Sequence, residues 1–127
     1  MTDMKDMNDL KEMKDVNDCI FCNIASGEMD VPLVYEDELV VAFDDVSPQA
    51  PVHTLIVPKQ HVASLNDDPD PALLAAVFGA AREVARLKGI ADSGYRLVQN
   101  NGADAGQTVH HLHVHVLGGA ELSVQMS

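Results

Sequence analysis

The chain has 127 residues with 20 Asp plus Glu against 8 Lys plus Arg, a formal net charge of −12; that length makes one domain, and the acidity excludes a nucleic-acid polymer as main partner, since such binders cluster Lys and Arg. Hydrophobic residues at 46% suffice for a packed core, yet no run approaches the roughly 18 to 20 apolar residues of a membrane helix, and the charged N-terminus lacks the apolar stretch of a secretory signal. The two cysteines, Cys19 and Cys22, stand too close in sequence for a disulfide framework, which points to a reducing, cytoplasmic setting.

Residues 1–18 hold six acids, three lysines and four methionines, and repeat Met-Lys-Asp-Met-Asn-Asp as Met-Lys-Asp-Val-Asn-Asp. Without aromatic residues such a segment buries too little apolar surface to offset its ordering entropy, so it reads as an acidic, flexible tail. A folded domain is expected over 19–119, with a short C-terminal tail over 120–127. Leu33 to Tyr35 and Leu39 to Phe43 are predicted strands joined through the acidic turn Glu36-Asp37-Glu38, and Thr54 to Pro58 is a third after a proline-containing loop. A helix is predicted from Pro71 to Lys88: Asp70 is an N-cap, Pro71 suits the first position, apolar residues recur at i, i+3 and i+4, and Gly89 ends it. Tyr95 to Gln99 is a fourth strand, and a loop over 100–106 leads into a last strand ending at Leu117. Strands around one main helix give an α+β class with a mostly antiparallel sheet.

The most informative segment is His111-Leu-His-Val-His-Val-Leu117. On a strand, period-two alternation places His111, His113 and His115 on one face and turns Leu112, Val114 and Val116 towards a core. Three aligned imidazoles are costly to bury unpaired, so they must bind something: a metal, an anion or a phosphoryl group. Immediately before them, Asn100 to Thr108 carries glycines at 102 and 106 and the donors Asn100, Gln107 and Thr108. Small residues let backbone N–H groups approach phosphate oxygens, which favours phosphate chemistry over metal ligation by the three imidazoles. None of the basic residues lies between Leu97 and Gly119, and Asp104 is the only acid there, so an anionic ligand would rest on loop N–H groups, Gln107, Thr108 and the imidazoles.

The stretch Gly106-Gln-Thr-Val-His-His-Leu-His-Val-His-Val-Leu-Gly-Gly119 resembles the signature of the histidine triad (HIT) superfamily of nucleotide hydrolases and transferases, and its Leu-Gly-Gly ending the nucleotide-binding, HINT-like branch. Cys19-Ile-Phe-Cys-Asn-Ile-Ala-Ser-Gly-Glu28, Ala42-Phe-Asp-Asp-Val-Ser-Pro-Gln-Ala-Pro-Val-His53 and Ile56-Val-Pro-Lys-Gln-His61 resemble that branch in order and spacing. The resemblance implies a five-stranded antiparallel sheet with one main helix, sheets joined in a homodimer, and an AMP-like purine nucleotide as ligand, with no cofactor required for catalysis. It makes His113 the nucleophile at the α-phosphorus, His115 and His53 its phosphate-binding supports, and His111 the residue that orients its ring. Asp45 matches an acid on the ribose hydroxyls, Phe21, Phe43 and Val46 fall around the base, and Asn100, Gly106, Gln107 and Thr108 fall at the phosphate or leaving group. The activity implied is purine nucleoside 5'-phosphoramidate hydrolysis; a dinucleoside polyphosphate hydrolase, or a nucleotide-sensing module with vestigial turnover, are the alternatives. After Gly119 the sequence departs from the branch's usual tail, a segment that helps select the leaving group.

Cys19-x-x-Cys22 is half a zinc site by spacing. The resemblance completes it with His61 and His111 as a structural zinc; the alternative is that both thiols pack beneath the sheet.

Overall fold

The computed structural model describes residues 19–124, so the expected N-terminal tail lies outside the described residues. Helix α1 (Ile20–Ser26) leads into strands β1 (Tyr35–Glu36), β2 (Val40–Asp44) and β3 (Val52–Pro58), then helix α2 (Pro71–Leu87), β4 (Tyr95–Val98) and β5 (Val114–Gly118). The strands form one antiparallel sheet in the order β1-β2-β3-β5-β4.

Local chemistry explains most boundaries. In the turn between β1 and β2, Asp37 Oδ1 accepts the N–H groups of Leu39 and Val40 at 2.8 and 3.0 Å, and Tyr35 Oη–H donates to Oδ2 at 2.9 Å. The expected hairpin is present, although its first strand starts two residues late, at Tyr35 rather than Leu33. Asp70 caps α2 by accepting from Ala72 N–H at 2.8 Å, and Gly89 follows the helix with φ of +75°.

The sheet has two different faces. Val40, Ala42, Ile56, Val114 and Val116 pack against Val77, Ala81, Val84 and Ala85 of α2. On the opposite face Val41, Phe43, Leu55 and Val57 pack against Phe21 and Ile24 of α1. The expectation of one main helix therefore omits α1. Cys19 caps it, its Sγ accepting Cys22 N–H at 3.3 Å, and Gly27 closes it in the left-handed region at φ +88°. A seven-residue helix is marginal alone; the burial of Phe21 and Ile24 against the sheet supplies what its length does not.

The last strand is also shorter than expected. It begins at Val114, opposite Ile56, so His111 and His113 precede the ladder instead of belonging to it. Leu112 N–H donates to Val62 O at 2.7 Å, and the Pro58 carbonyl at the end of β3 is taken by the His111 ring at 2.8 Å. These bonds occupy the backbone and carbonyl groups where the β3–β5 ladder would otherwise continue. At the other end of β5 the Gly-Gly pair is required: a Cβ on Gly118 would stand 2.8 Å from Ile90 Cδ1, and one on Gly119, at φ +89°, would stand 3.0 Å from Pro51 Cβ.

Candidate active site

The histidines gather on the α1 side of the sheet. His115 lies on β5 directly beside Leu55, and His53 on β3 faces Leu117 across the ladder. His113 enters just before β5, its ring 5.1 Å from that of Phe21 in an edge-to-face contact and 5.0 Å from that of His115. His111, His113 and His53 are buried and His115 is half-buried.

Hydrogen bonding fixes which nitrogen of each ring carries a proton. The His113 Nδ1 to His111 carbonyl distance is 2.7 Å, and a carbonyl only accepts, so Nδ1 bears the hydrogen and Nε2 keeps a free lone pair. Gln49 N–H donates to His53 Nδ1 at 2.9 Å, so the His53 hydrogen sits on Nε2 and donates across 2.9 Å to His115 Nδ1. The His115 proton is thereby placed on Nε2. The chain runs from a backbone N–H through two imidazoles to an N–H on the ring that lies 5.0 Å from that of His113.

Asp45 Oδ2 lies 3.5 Å from His53 Nε2, while its Oδ1 accepts Ser47 N–H at 2.8 Å. Asp45, His53 and His115 are close enough to resemble a metal-binding triad. The tautomers oppose that use, because the Gln49 N–H obliges His53 to carry its hydrogen on the nitrogen that would face the ion.

His53, His111 and His115 are poised neutral. Burial, reinforced by His113 and His53, pushes His115 down to about 4, with Asp45 opposing. His53 is lowered by burial, again against Asp45. His111 is lowered to about 4, mainly by burial.

The expected phosphate donors differ in the bonds they already make. Gln107 is buried; its Nε2 donates to Ala63 O at 2.7 Å and Val109 O at 3.1 Å, its Oε1 accepts Gly102 N–H at 2.8 Å, and its own N–H donates to Gly102 O at 3.1 Å. Every donor of Gln107 is thus engaged, within the loop and to the segment after β3. Ala105 and Gly106 N–H groups are likewise consumed, because residues Ala103–Ala105 wind into a single 3-10 turn. The amide cradle expected from the glycines is therefore closed at those positions, and Gly106, at φ +83°, serves the turn. Thr108 stays exposed, and Asn100 faces a cavity of about 450 Å³ shared with His53 and His115.

At the expected base site Phe21 and Phe43 are core residues in edge-to-face contact at 5.6 Å. Val46, 97% exposed, packs against neither. His110 is exposed, apart from the buried imidazoles.

The cysteine pair meets two of the histidines. Cys19 Sγ is 3.2 Å and Cys22 Sγ 3.4 Å from His111 Nδ1, and Cys22 Sγ is 3.1 Å from His61 Nδ1. All four donor atoms lie within 4.8 Å of one another. Because the Pro58 carbonyl takes the His111 Nε2–H, the Nδ1 lone pair faces the thiols. Two sulfurs and two imidazole nitrogens at these separations fit the tetrahedral donor set of zinc.

The HIT domain model matches residues 26–122. The chain belongs to the HIT family. Among relatives of this HIT protein, an uncharacterized HIT-like protein of Synechocystis is 50% identical over 108 residues, covering 84% of this chain and 94% of its own. A HIT family hydrolase of Legionella pneumophila superposes with a TM-score of 0.81 at 44% identity, covering 84% of this chain and 97% of its own. A histidine triad protein of Clostridium difficile gives the same TM-score and identity over 86% and 96%. The two-faced sheet with its histidines on one side is thus the family's fold.

Sequence reading misses two supports of this HIT protein's site, the backbone N–H of Gln49 and the carbonyl of Pro58. Both act through main-chain atoms, which residue type does not reveal.

The tautomer assignment has a measurable consequence. His115 is held below its unfolded value of 6.5, so the unfolded chain binds more protons once pH falls below that value. Stability of the ligand-free protein should be flat above pH 6.5 on this group's account and decline as pH drops towards 4. Nitrogen-15 NMR should show His115 neutral with the hydrogen on Nε2 until protonation near pH 4; a proton on Nδ1 at neutral pH would contradict the relay.

Proposed function

We propose that this HIT protein hydrolyses the bond between a nucleoside α-phosphate and its leaving group through a nucleotidyl-His113 intermediate, with purine nucleoside 5'-phosphoramidates as the substrate class. The observation that carries the reading is the 2.7 Å bond from His113 Nδ1 to the His111 carbonyl, which leaves the lone pair of Nε2 free to act as a nucleophile.

Neutral Nε2 attacks the phosphorus in line with the leaving nitrogen, and the positive charge that develops on the ring is stabilised at Nδ1–H by the His111 carbonyl. His115 Nε2–H donates to a phosphate oxygen. The arriving anion raises the proton affinity of the His115–His53 pair, which takes up a proton and passes it through His115 Nε2 to the departing nitrogen. That nitrogen leaves as an amine with the electron pair of the broken P–N bond. Water then attacks the phosphorus, the P–Nε2 bond breaks, a proton returns to His115, and nucleoside monophosphate leaves. Asp45 Oδ2, turned towards His53, supports the charged pair and is the group placed to accept from ribose hydroxyls. Splitting one displacement into two lets the same imidazole serve as nucleophile and leaving group.

Cys19, Cys22, His61 and His111 hold a structural zinc ion in this reading, and the ion, when bound, stabilises the junction of α1 and the His111 segment. Two copies of the chain pair across the outer face of α2, where the aromatic side chain of Phe78 is 54% exposed.

Replacing His113 by Asn should lower kcat on adenosine phosphoramidate by at least about 10⁴-fold while AMP binding stays within about three-fold; near wild-type turnover would remove the nucleophile assignment. Protein purified without chelator should contain one zinc per chain, and Cys22→Ser should lose it together with several degrees of thermal midpoint. Zinc-free wild-type protein would leave the thiols as packing groups. Light scattering of the purified chain should give the mass of a dimer, and Phe78→Glu the mass of a monomer; a monomeric wild type sinks the pairing.

A further inference from the structure

The chain's two cysteines take no part in the reaction at phosphorus, yet they touch the residue whose carbonyl holds its nucleophile. Cys19 Sγ and Cys22 Sγ approach the same atom, His111 Nδ1, at 3.2 and 3.4 Å, and lie within 4.8 Å of each other. Cys19 caps α1 and Cys22 is the third residue of that helix. That placement sets their Cα atoms about 5 to 6 Å apart, inside the range of about 4.4 to 6.8 Å that a disulfide spans. Both side chains already converge on one atom, so rotation about their Cα–Cβ bonds is the movement a disulfide needs. The two are reduced, half-buried thiols, and Cys22 Sγ lies 3.1 Å from Nδ1 of the exposed His61, where solvent reaches the cluster.

The residues between the two cysteines reach the active site. Phe21 is buried, with its ring 6.0 Å from that of His111 and 5.1 Å from that of His113. Three supports therefore meet at this point. The Cys19 sulfur accepts Cys22 N–H at 3.3 Å, the His111 ring meets both sulfurs, and the His111 carbonyl takes the His113 Nδ1 hydrogen at 2.7 Å. A sulfur turned towards its neighbour gives up the first two, and α1, at seven residues, has few bonds of its own to replace them. The third support then rests on the bonds made to the Pro58 and Val62 carbonyls.

We propose that Cys19 and Cys22 form a reversible oxidation site: a hydroperoxide joins them in a disulfide, and the change loosens the carbonyl that holds the His113 nucleophile. The effect on turnover rests on the reaction proposed above, whereas the thiol chemistry does not.

Cys22, beside the exposed His61, attacks a peroxide oxygen; the O–O bond breaks, water leaves with the thiol proton, and a sulfenic acid remains. Cys19 attacks that sulfur, the S–O bond breaks, and a second water carries away its proton. Two thiols have lost two electrons and two protons, and one hydrogen peroxide has become two waters. A second thiol this close intercepts the sulfenic acid before more oxygen is added. Where the four residues hold zinc, the same two electrons leave two thiolates, solvent supplies the two protons, and the ion departs as Zn²⁺, since a disulfide offers it no thiolate. A disulfide that closes so short a loop gains little from chain entropy, so a dithiol reductant reopens it.

The test treats the full chain with excess hydrogen peroxide and then with dithiothreitol. The peptide holding Cys19 and Cys22 should become lighter by two hydrogens and regain both thiols in dithiothreitol, which does not reverse methionine oxidation. In the disulfide form the Leu112 amide hydrogen should exchange at least about ten-fold faster, and nitrogen-15 NMR should show His113 in both tautomers instead of Nδ1–H alone. Hydrolysis of adenosine 5'-phosphoramidate should fall by at least about ten-fold and return on reduction. The Cys19→Ser/Cys22→Ser chain should show no response that dithiothreitol reverses. Retention of both thiols, sulfinic acid on either cysteine or a disulfide between chains overturns the proposal. A disulfide that leaves Leu112 exchange and the His113 tautomer unchanged overturns it too, as does turnover indifferent to oxidation. If the reduced chain hydrolyses nothing but the disulfide forms and moves both signals, the reaction is wrong and the oxidation site stands. If the purified chain holds no zinc but behaves in the same way, the metal is removed and the oxidation site stands.

Discussion

The hydrogen bond from His113 Nδ1 to the carbonyl of His111 is the constraint on which the rest of the site depends. A neutral imidazole offers its lone pair at either nitrogen, and only an acceptor at Nδ1 reserves Nε2 for attack. An acceptor is useful only if it does not move. His111 is fully buried, its Nε2–H bound to Pro58 O and its Nδ1 facing two thiols, and the N–H of the next residue is bound to Val62 O. One residue thus has its backbone in the catalytic site and its side chain in the cysteine cluster. That sharing makes α1, a short helix far from the ladder's own bonds, part of the scaffold of the nucleophile.

The same economy governs charge. In the reaction proposed above an acidic protein must hold a phosphate, and among the described residues Lys59, Arg86 and Lys88 are paired with acids at the surface while Arg82 is exposed on α2, away from the histidines. Standing positive charge does not come from His53 or His115, which burial disfavours in their charged forms. In the reaction proposed above, positive charge therefore arrives with the ligand: an anion beside His115 offsets the desolvation that lowered it, and the proton it draws in is the one the leaving nitrogen needs. Distant acids weaken this little, because screening at physiological salt acts beyond about 8 Å.

How much of this was legible in the sequence varied with the physics involved. The helix over Pro71–Leu87 and the Asp37 hairpin carry their own punctuation, an N-cap with proline and an aspartate turn, and both stand where the pattern puts them. The grouping of the triad rings was readable from period-two alternation although only His115 lies on the strand: Phe21 contacts the rings of both His111 and His113, and the His113 ring lies 5.0 Å from that of His115. Helix α1 was not readable, since a cysteine is an unusual cap and the segment's stability is tertiary. Gln107 misled for a different reason: an amide beside a glycine loop looks identical in sequence whether it serves a ligand or, as its four hydrogen bonds show, the loop.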